Sequence, residues 1–195
     1  MANSQKGFTL LEVVMAIGIF SILMVGINIL FISLYRQQGA STAMIERTRV
    51  MNILIDTISR ELREGNRGEN GHFFIETAAN DTVTFYSDID DDDQTERVSY
   101  SLSGSVLSKS VTEPGSDLQY SAPATVTVVC SEVQNGSTPI FTYYDENYSG
   151  AGSSMTLPVA ILDVRLIGVS LTTNSTDRYK SYPLHIETKI QLRNS

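Results

Sequence analysis

The first long run of apolar positions occupies residues 8–35 and reads FTLLEVVMAIGIFSILMVGINILFISLY, with Glu12 as its single charged residue. About 20 predominantly apolar residues are enough to cross a bilayer as a helix, so this run predicts a membrane-spanning helix. A secretory signal has a shorter apolar core of about 7 to 15 residues, followed by a small-residue cleavage site. No such site follows the run, which disfavours an ordinary signal peptide.

Beyond this run, apolar residues recur at alternating spacings of four and three, which is typical of an amphipathic helix. The apolar stripe consists of Met44, Thr48, Met51, Ile55, Ile58 and Leu62, with Glu46, Arg47, Arg49, Arg60, Glu61 and Arg63 between its members. Gly65 follows a basic last turn and is a plausible stop. The pattern therefore predicts one helix from about Thr9 to Glu64, apolar all round at first and one-sided later.

The rest of the chain has the period-2 alternation and turn residues of β-strands. Val83, Phe85 and residues 97–102 predict strands on either side of an acidic loop, and residues 102–106 predict a tight turn into a strand at 106–111. These segments indicate an antiparallel meander.

Alternating residues also predict strands at 162–167 and, most clearly, at 184–192. The polar residues 172–182 predict a connection between these strands, and residues 134–139 and 146–154 predict loops. The expected fold class is α+β, with the second half of the long helix packed on an antiparallel β-sheet head.

Composition and charge exclude several classes of function. The net charge is −8, and no basic cluster could follow a phosphate backbone, so we expect no direct nucleic-acid partner. Cys130 is the only cysteine, which rules out an intramolecular disulfide and a thiolate metal cluster. We interpret it as a small buried hydrophobe in a strand, with a reactive thiol as the alternative. His72 and His185 accompany no nucleophile, metal or phosphate motif, and we therefore predict that the protein is not an enzyme.

Glu12 is the most informative residue of the apolar run. An ionised carboxylate in hydrocarbon costs about 2.5–3.5 kcal/mol or more, so it normally has a partner. The chain opens with the polar stretch MANSQKG, and Gly7 directly precedes Phe8. Cleavage between Gly7 and Phe8 would create a new amine close to Glu12. On a neighbouring subunit, that amine could neutralise the carboxylate and set the register of assembly.

The sequence KGFTLLEVVMAIGIFSILM, residues 6–24, resembles the prepilin cleavage and methylation motif of type IV pilins and type II secretion pseudopilins. The resemblance implies that a prepilin peptidase cuts after Gly7 and methylates the new N-terminus at Phe8, and that Glu12 acts in assembly. It also implies a pilin-like fold, other pilin or pseudopilin subunits as partners, and an inner-membrane assembly platform.

The resemblance and the hydrophobic pattern together predict four segments. Residues 1–7 are a leader peptide, 8–35 a transmembrane and assembly helix, 36–65 an amphipathic helix continuing into the head, and 66–195 a β-rich globular head. We expect a single-pass protein of the bacterial inner membrane with a periplasmic head, which later enters a filament. Lys6 supports a cytoplasmic N-terminus only weakly by the positive-inside rule, because Arg36 lies just beyond the other end.

The segment FYSDIDDDDQTERVSYSLSGSVLSKSV, residues 85–111, and the closing QLRNS are similar to the larger minor pseudopilins called J. This resemblance implies a minor pseudopilin that initiates or tips a type II secretion pseudopilus. Two alternatives stay open: a minor pilin of a type IV pilus or DNA-uptake filament, and a single-pass anchored protein with an extracytoplasmic ligand-binding head.

The acidic loop is the candidate for chemistry outside the N-terminus. Asp88, Asp90, Asp92 and Glu96 are spaced so that several carboxylates could point at one hard cation such as Ca²⁺. An EF-hand would have glycine in place of Asp93 and glutamate at residue 99, and neither is present. The loop is therefore interpreted either as a Ca²⁺ site or as a solvated hairpin turn.

Overall fold

The α+β fold class is confirmed by a computed structural model, which describes residues 7, 9–177 and 180–193, with side chains outside 36–44 and 175–182. One long helix, α1 (Leu10–Glu64), precedes two antiparallel sheets. The strands are β1 (Ile75–Ala78), β2 (Thr82–Ser87), β3 (Glu96–Ser103), β4 (Val106–Thr112), β5 (Thr125–Cys130), β6 (Phe141–Tyr144), β7 (Leu166–Asp177) and β8 (Lys180–Gln191). The first sheet has the order β1-β2-β3-β4-β5 and the second β6-β7-β8.

The chain divides into two compact units, Met1–Ile45 and Glu46–Ser195. In the first unit, the segment Leu10–Tyr35 of α1 has a mean hydropathy of 2.6, and its side chains are exposed throughout. Its length and composition are sufficient to cross a bilayer. This confirms the long apolar helix expected from the hydrophobic run.

In the second unit, four of the six residues of the predicted apolar stripe of α1 lie in the core. Met51, Ile55, Ile58 and Leu62 are almost fully buried, whereas Thr48 is half-buried and the side chain of Met44 lies outside the described residues. The four buried residues share one cluster with residues from both sheets, among them Val83, Phe85, Val98, Tyr100, Leu107, Phe141, Ile167, Val169 and Ile190. Each large aliphatic side chain buried in this way contributes roughly 1.5–3 kcal/mol, so the stripe fastens this part of α1 to the head.

The helix ends at Glu64, as predicted from Gly65, and Gly65 lies where the chain approaches a neighbouring ring closely. A Cβ atom on Gly65 would lie 1.7 Å from Cε2 of Phe74, whose ring is itself buried. The chain then turns, and the Asn66 N–H donates to the carbonyl of Tyr86 in β2 at 3.0 Å. Glycine is therefore required here by packing.

Two predictions for the last third of the chain are wrong. Residues Ile161–Asp163 form a 3₁₀ turn, so the predicted strand at 162–167 begins only at Leu166. The turn is closed by the Val164 N–H donating to the Ile161 carbonyl, and it buries Val164 while leaving Leu162 exposed. Apolar alternation over so few residues fits either conformation.

The described residues of the predicted polar connection at 172–182 instead belong to β7 and β8, and residues 178–179 lie outside the described residues. Thr172 pairs with His185, and the ladder continues to Asp177 opposite Lys180. Here the strands are held by backbone pairing, which requires no apolar face. Polar composition alone therefore could not reveal them.

Glu61 is one of the charged residues between the members of the apolar stripe, yet the structure buries it. The residue is only 2% exposed. Its carboxylate accepts hydrogen bonds from Lys109 Nζ on β4 at 2.6 Å and from the Tyr100 hydroxyl on β3 at 2.8 Å. The Ser87 hydroxyl donates to the Glu61 backbone carbonyl at 3.0 Å. One buried ion pair and two hydrogen bonds thus connect Glu61 of the helix to three strands.

Candidate functional site

The start of α1 positions Glu12 through a cap that sequence reasoning missed. The Glu12 N–H donates to Thr9 Oγ1 at 3.3 Å and to the Thr9 carbonyl at 3.1 Å, and the Val13 N–H donates to the same carbonyl at 3.2 Å. Thr9 is thus the N-cap, and Glu12 is the third helical residue. The Thr-x-x-Glu spacing of a capping box was present in the sequence and could have indicated this. A carboxylate in the first turn is also favoured by the helix dipole.

Among the described residues, two other polar side chains of the apolar segment form hydrogen bonds within the helix, unlike the carboxylate of Glu12. The Ser21 hydroxyl donates to the Ile17 carbonyl and the Asn28 side-chain amide to the Met24 carbonyl, each at 2.8 Å, so both are satisfied within the helix. Glu12 is exposed and is the only aspartate, glutamate, lysine, arginine or histidine in Leu10–Tyr35. An acidic side chain in such a setting requires a partner from outside the helix if it is to remain charged in hydrocarbon.

The predicted cleavage site lies immediately before this helix. Gly7 is exposed, and nothing lies within 4 Å of the position that a Cβ would occupy. Phe8, the predicted methylated N-terminus, lies outside the described residues. Cleavage after Gly7 and methylation of Phe8 stay predictions.

The acidic loop joins β2 to β3 and brings all four predicted ligands together. Ser87, the last residue of β2, pairs with Glu96, the first residue of β3, so the loop closes a hairpin. Asp88, Asp90, Asp92 and Glu96 each offer one carboxylate oxygen, and these four oxygens lie within 4.8 Å of one another. The sequence had indicated this set from spacing alone.

Two residues of the loop have a left-handed backbone conformation although neither is glycine. Asp91 has a φ of 61° and Asp93 a φ of 66°. Aspartate is among the residues that tolerate this region, so the missing glycine at Asp93 does not prevent the turn. The Asp91 N–H donates to Asp88 Oδ1 at 2.8 Å, and the Gln94 N–H donates to Asp92 Oδ1 at 2.9 Å. The side chains of Asp88 and Asp92 thus stabilise the turn that brings the four acids together.

Glu96 differs from the other three acids because it is fully buried. Its Oε2 accepts a hydrogen bond from the Ile89 N–H at 2.7 Å, whereas its buried Oε1 has no hydrogen-bond partner among the described residues. Burial raises the pKa of Glu96 to about 7, opposed by the Ile89 N–H and reinforced by the charges of Glu113 and Asp90. Sequence spacing identified this residue but could not reveal its burial.

Arg97, the residue next to Glu96, forms an ion pair with a residue outside the loop. Arg97 Nε lies 2.5 Å from Glu76 Oε2, and its Nη2 lies 2.9 Å from Glu76 Oε1. This bidentate pair lowers the pKa of Glu76, partly offset by burial, and the Tyr86 hydroxyl adds a further hydrogen bond at 2.9 Å. Among the described ion pairs, none involves the four acids of the loop.

The remaining candidate chemical groups are dispersed. Cys130 ends β5, where it is half-buried with its Sγ 3.9 Å from Met51 Sδ, and burial raises the pKa of its thiol. This agrees with its interpretation as a small hydrophobe in a strand. His72 contacts the Tyr86 hydroxyl beside the first sheet, and His185 contacts the Thr172 hydroxyl in the second.

Comparison with known proteins finds a family motif in the N-terminal part of the chain. Residues 2–28 match the prokaryotic N-terminal methylation motif. No curated protein matches the chain. The motif supports a pilin-like structural subunit of the type IV pilus or type II secretion kind, processed by a prepilin peptidase and assembled with other pilin subunits. Together with the apolar segment of α1, it fits a membrane-anchored protein.

Proposed function

We propose that this protein is a minor pseudopilin that initiates or tips a type II secretion pseudopilus. In this proposal the leader is removed after Gly7, Phe8 is methylated, and the apolar part of α1 holds the subunit in the inner membrane with its head in the periplasm. An assembly platform in that membrane then adds the subunit to the filament.

The observation that carries the proposal is Glu12, the single charged residue of the exposed apolar segment of α1. A helix that served only as an anchor would avoid the cost of this carboxylate. The N-terminal amine exposed by cleavage lies on the same short stretch of chain, so a neighbouring subunit offers a partner of opposite charge. Stacking of subunits would pair the two groups at one defined register.

The preference for a secretion pseudopilus comes from the head. The segment similar to the J pseudopilins, residues 85–111, contains the second half of β2, all of β3 and nearly all of β4. These strands are neighbours in the first sheet and contribute Phe85, Val98, Tyr100 and Leu107 to the core. The resemblance therefore lies in a coherent part of the head.

Processing is tested directly by mass spectrometry of the protein isolated from its own membrane fraction. We expect the mature chain to begin at Phe8 and to carry one additional methyl group on that residue. Deleting the prepilin peptidase should return the chain to its full length. A chain that retains Met1 in cells with active peptidase would contradict the proposal.

Deletion of the gene separates the possible filaments. We expect secreted proteins to accumulate in the envelope, with an at least tenfold loss from the medium, while surface pili remain. Complementation with the intact gene should restore secretion. Loss of pili or of DNA uptake with normal secretion would instead support a minor pilin, and no change in either would support the anchored ligand-binding protein.

A further inference from the structure

We propose that the β2–β3 hairpin is a Ca²⁺-binding site whose ligands are Asp88, Asp90, Asp92 and Glu96. This inference concerns the head and does not depend on the type of filament. It rests on the position of four carboxylate oxygens and on a buried oxygen that lacks a partner.

The dimensions of the cluster suit calcium. The four oxygens lie within 4.8 Å of one another. Ligands on opposite sides of Ca²⁺ are about 4.6–5.2 Å apart, because each Ca–O distance is about 2.3–2.6 Å. Mg²⁺ requires near-ideal octahedral geometry at about 2.0–2.1 Å, and zinc sites typically use histidine and cysteine. A set of four carboxylates with this spread therefore favours the larger hard cation.

Glu96 supplies the second, independent observation. Its side chain is completely buried, yet Oε1 receives no hydrogen bond from any described group. Leaving a buried polar atom without a partner is unfavourable, and an ion is one of the few explanations for such an atom in a native fold. The carboxylate that carries this oxygen belongs to the cluster.

The loop also concentrates negative charge without an internal counter-charge. Six acidic residues stand between positions 88 and 96, and the sequence there contains no lysine or arginine. Arg97 follows immediately, but it is engaged with Glu76. Like charges this close repel one another, and a divalent cation would relieve that repulsion.

The short hairpin makes the site a link between strands. Asp88 directly follows β2, and Glu96 opens β3 opposite Ser87. Binding would thus fix the end of the hairpin whose strands also pack against α1. With four side-chain ligands and an open outer face, the site resembles extracellular calcium modules in strength, with dissociation constants on the order of 10⁻⁴–10⁻³ M.

The test is a calcium titration of the full chain in detergent micelles, after removal of divalent ions with a chelator. We expect 5 mM CaCl₂ to raise Tm by on the order of 5 °C, since a ligand that binds only the folded state stabilises it. MgCl₂ at the same concentration should have less than half this effect. Calorimetry should give a dissociation constant in the range stated above.

Variants locate the site within the loop. Asp90→Asn and Asp92→Asn should weaken binding at least tenfold, and Glu96→Gln should abolish the thermal response while the calcium-free protein stays folded. Asp93→Asn is the matched control, because it removes one charge from the same loop at a residue outside the ligand set. Its dissociation constant should change by less than about threefold.

Two results would overturn the proposal. One is the absence of a Tm change in wild type up to 10 mM CaCl₂. The other is an equal loss of affinity in Asp93→Asn and Asp92→Asn, which would show general attraction of cations to an acidic surface. Neither result bears on cleavage after Gly7 or on filament assembly.

Discussion

Glu12→Leu is expected to reduce incorporation of the subunit into filaments by at least tenfold while leaving it in the membrane. Leucine makes the helix more compatible with hydrocarbon, so insertion should not suffer. The substitution also removes the group that we propose to pair with the N-terminal amine of a neighbouring subunit. In the variant, that amine would be left as an unpaired charge in hydrocarbon. Such a charge costs about 2.5–3.5 kcal/mol, equivalent to roughly a 100-fold change in the assembly equilibrium, so the expected loss is large.

The measurement compares the subunit in sheared filament fractions with the subunit in membranes, by immunoblotting. Glu46→Gln is the control, because Glu46 is also an exposed glutamate of α1 but lies outside the apolar segment. Mass spectrometry should confirm that both variants are cleaved and methylated. Normal incorporation of Glu12→Leu would limit Glu12 to a role at the start of the helix beside Thr9.

Lys109→Met is expected to destabilise the head by about 3–5 kcal/mol, because it leaves the Glu61 carboxylate buried without its counter-charge. The ion pair is well protected: the side chain of Glu61 is 3% exposed and that of Lys109 is 15% exposed. The Tyr100 hydroxyl would remain as a hydrogen-bond donor, but it carries no charge. Tm should fall by on the order of 10 °C.

Lys189→Met provides a matched control on the second sheet. Lys189 lies 3.6 Å from Glu187, and both side chains are at least a third exposed. Exposed pairs of this kind contribute about 0–1 kcal/mol, so this variant should unfold close to wild type. The unfolding of both variants can be followed in detergent micelles by tyrosine fluorescence, since the chain has nine tyrosines and no tryptophan.

A double variant identifies the cause of the loss. Glu61→Gln combined with Lys109→Met removes both charges and keeps an acceptor for Tyr100, so it should recover at least half of the stability lost in Lys109→Met. If the double variant is instead less stable than Lys109→Met, the lysine acts through packing rather than by neutralising Glu61. Equal stability of Lys109→Met and Lys189→Met would show that Glu61 is adequately solvated.

The sequence by itself determined those features that depend on neighbouring residues along the chain. The apolar run and its single carboxylate identify the N-terminal helix because they need no information from elsewhere in the fold. The stripe through Met51, Ile55, Ile58 and Leu62 was predicted because helical spacing places these residues on one face. The four acids of the β2–β3 hairpin were found for the same reason, since a short loop brings its own residues together.

Only the tertiary structure decided which polar groups are buried and what they contact. Glu61 and Lys109 stand 48 residues apart, and no local pattern could pair them. The complete burial of Glu96 likewise depends on the structure packed around the hairpin. The extent of β7 and β8 depends on backbone pairing between strands of polar residues. Periodicity reports the face on which a residue lies, whereas burial and charge pairing depend on the elements that cover that face.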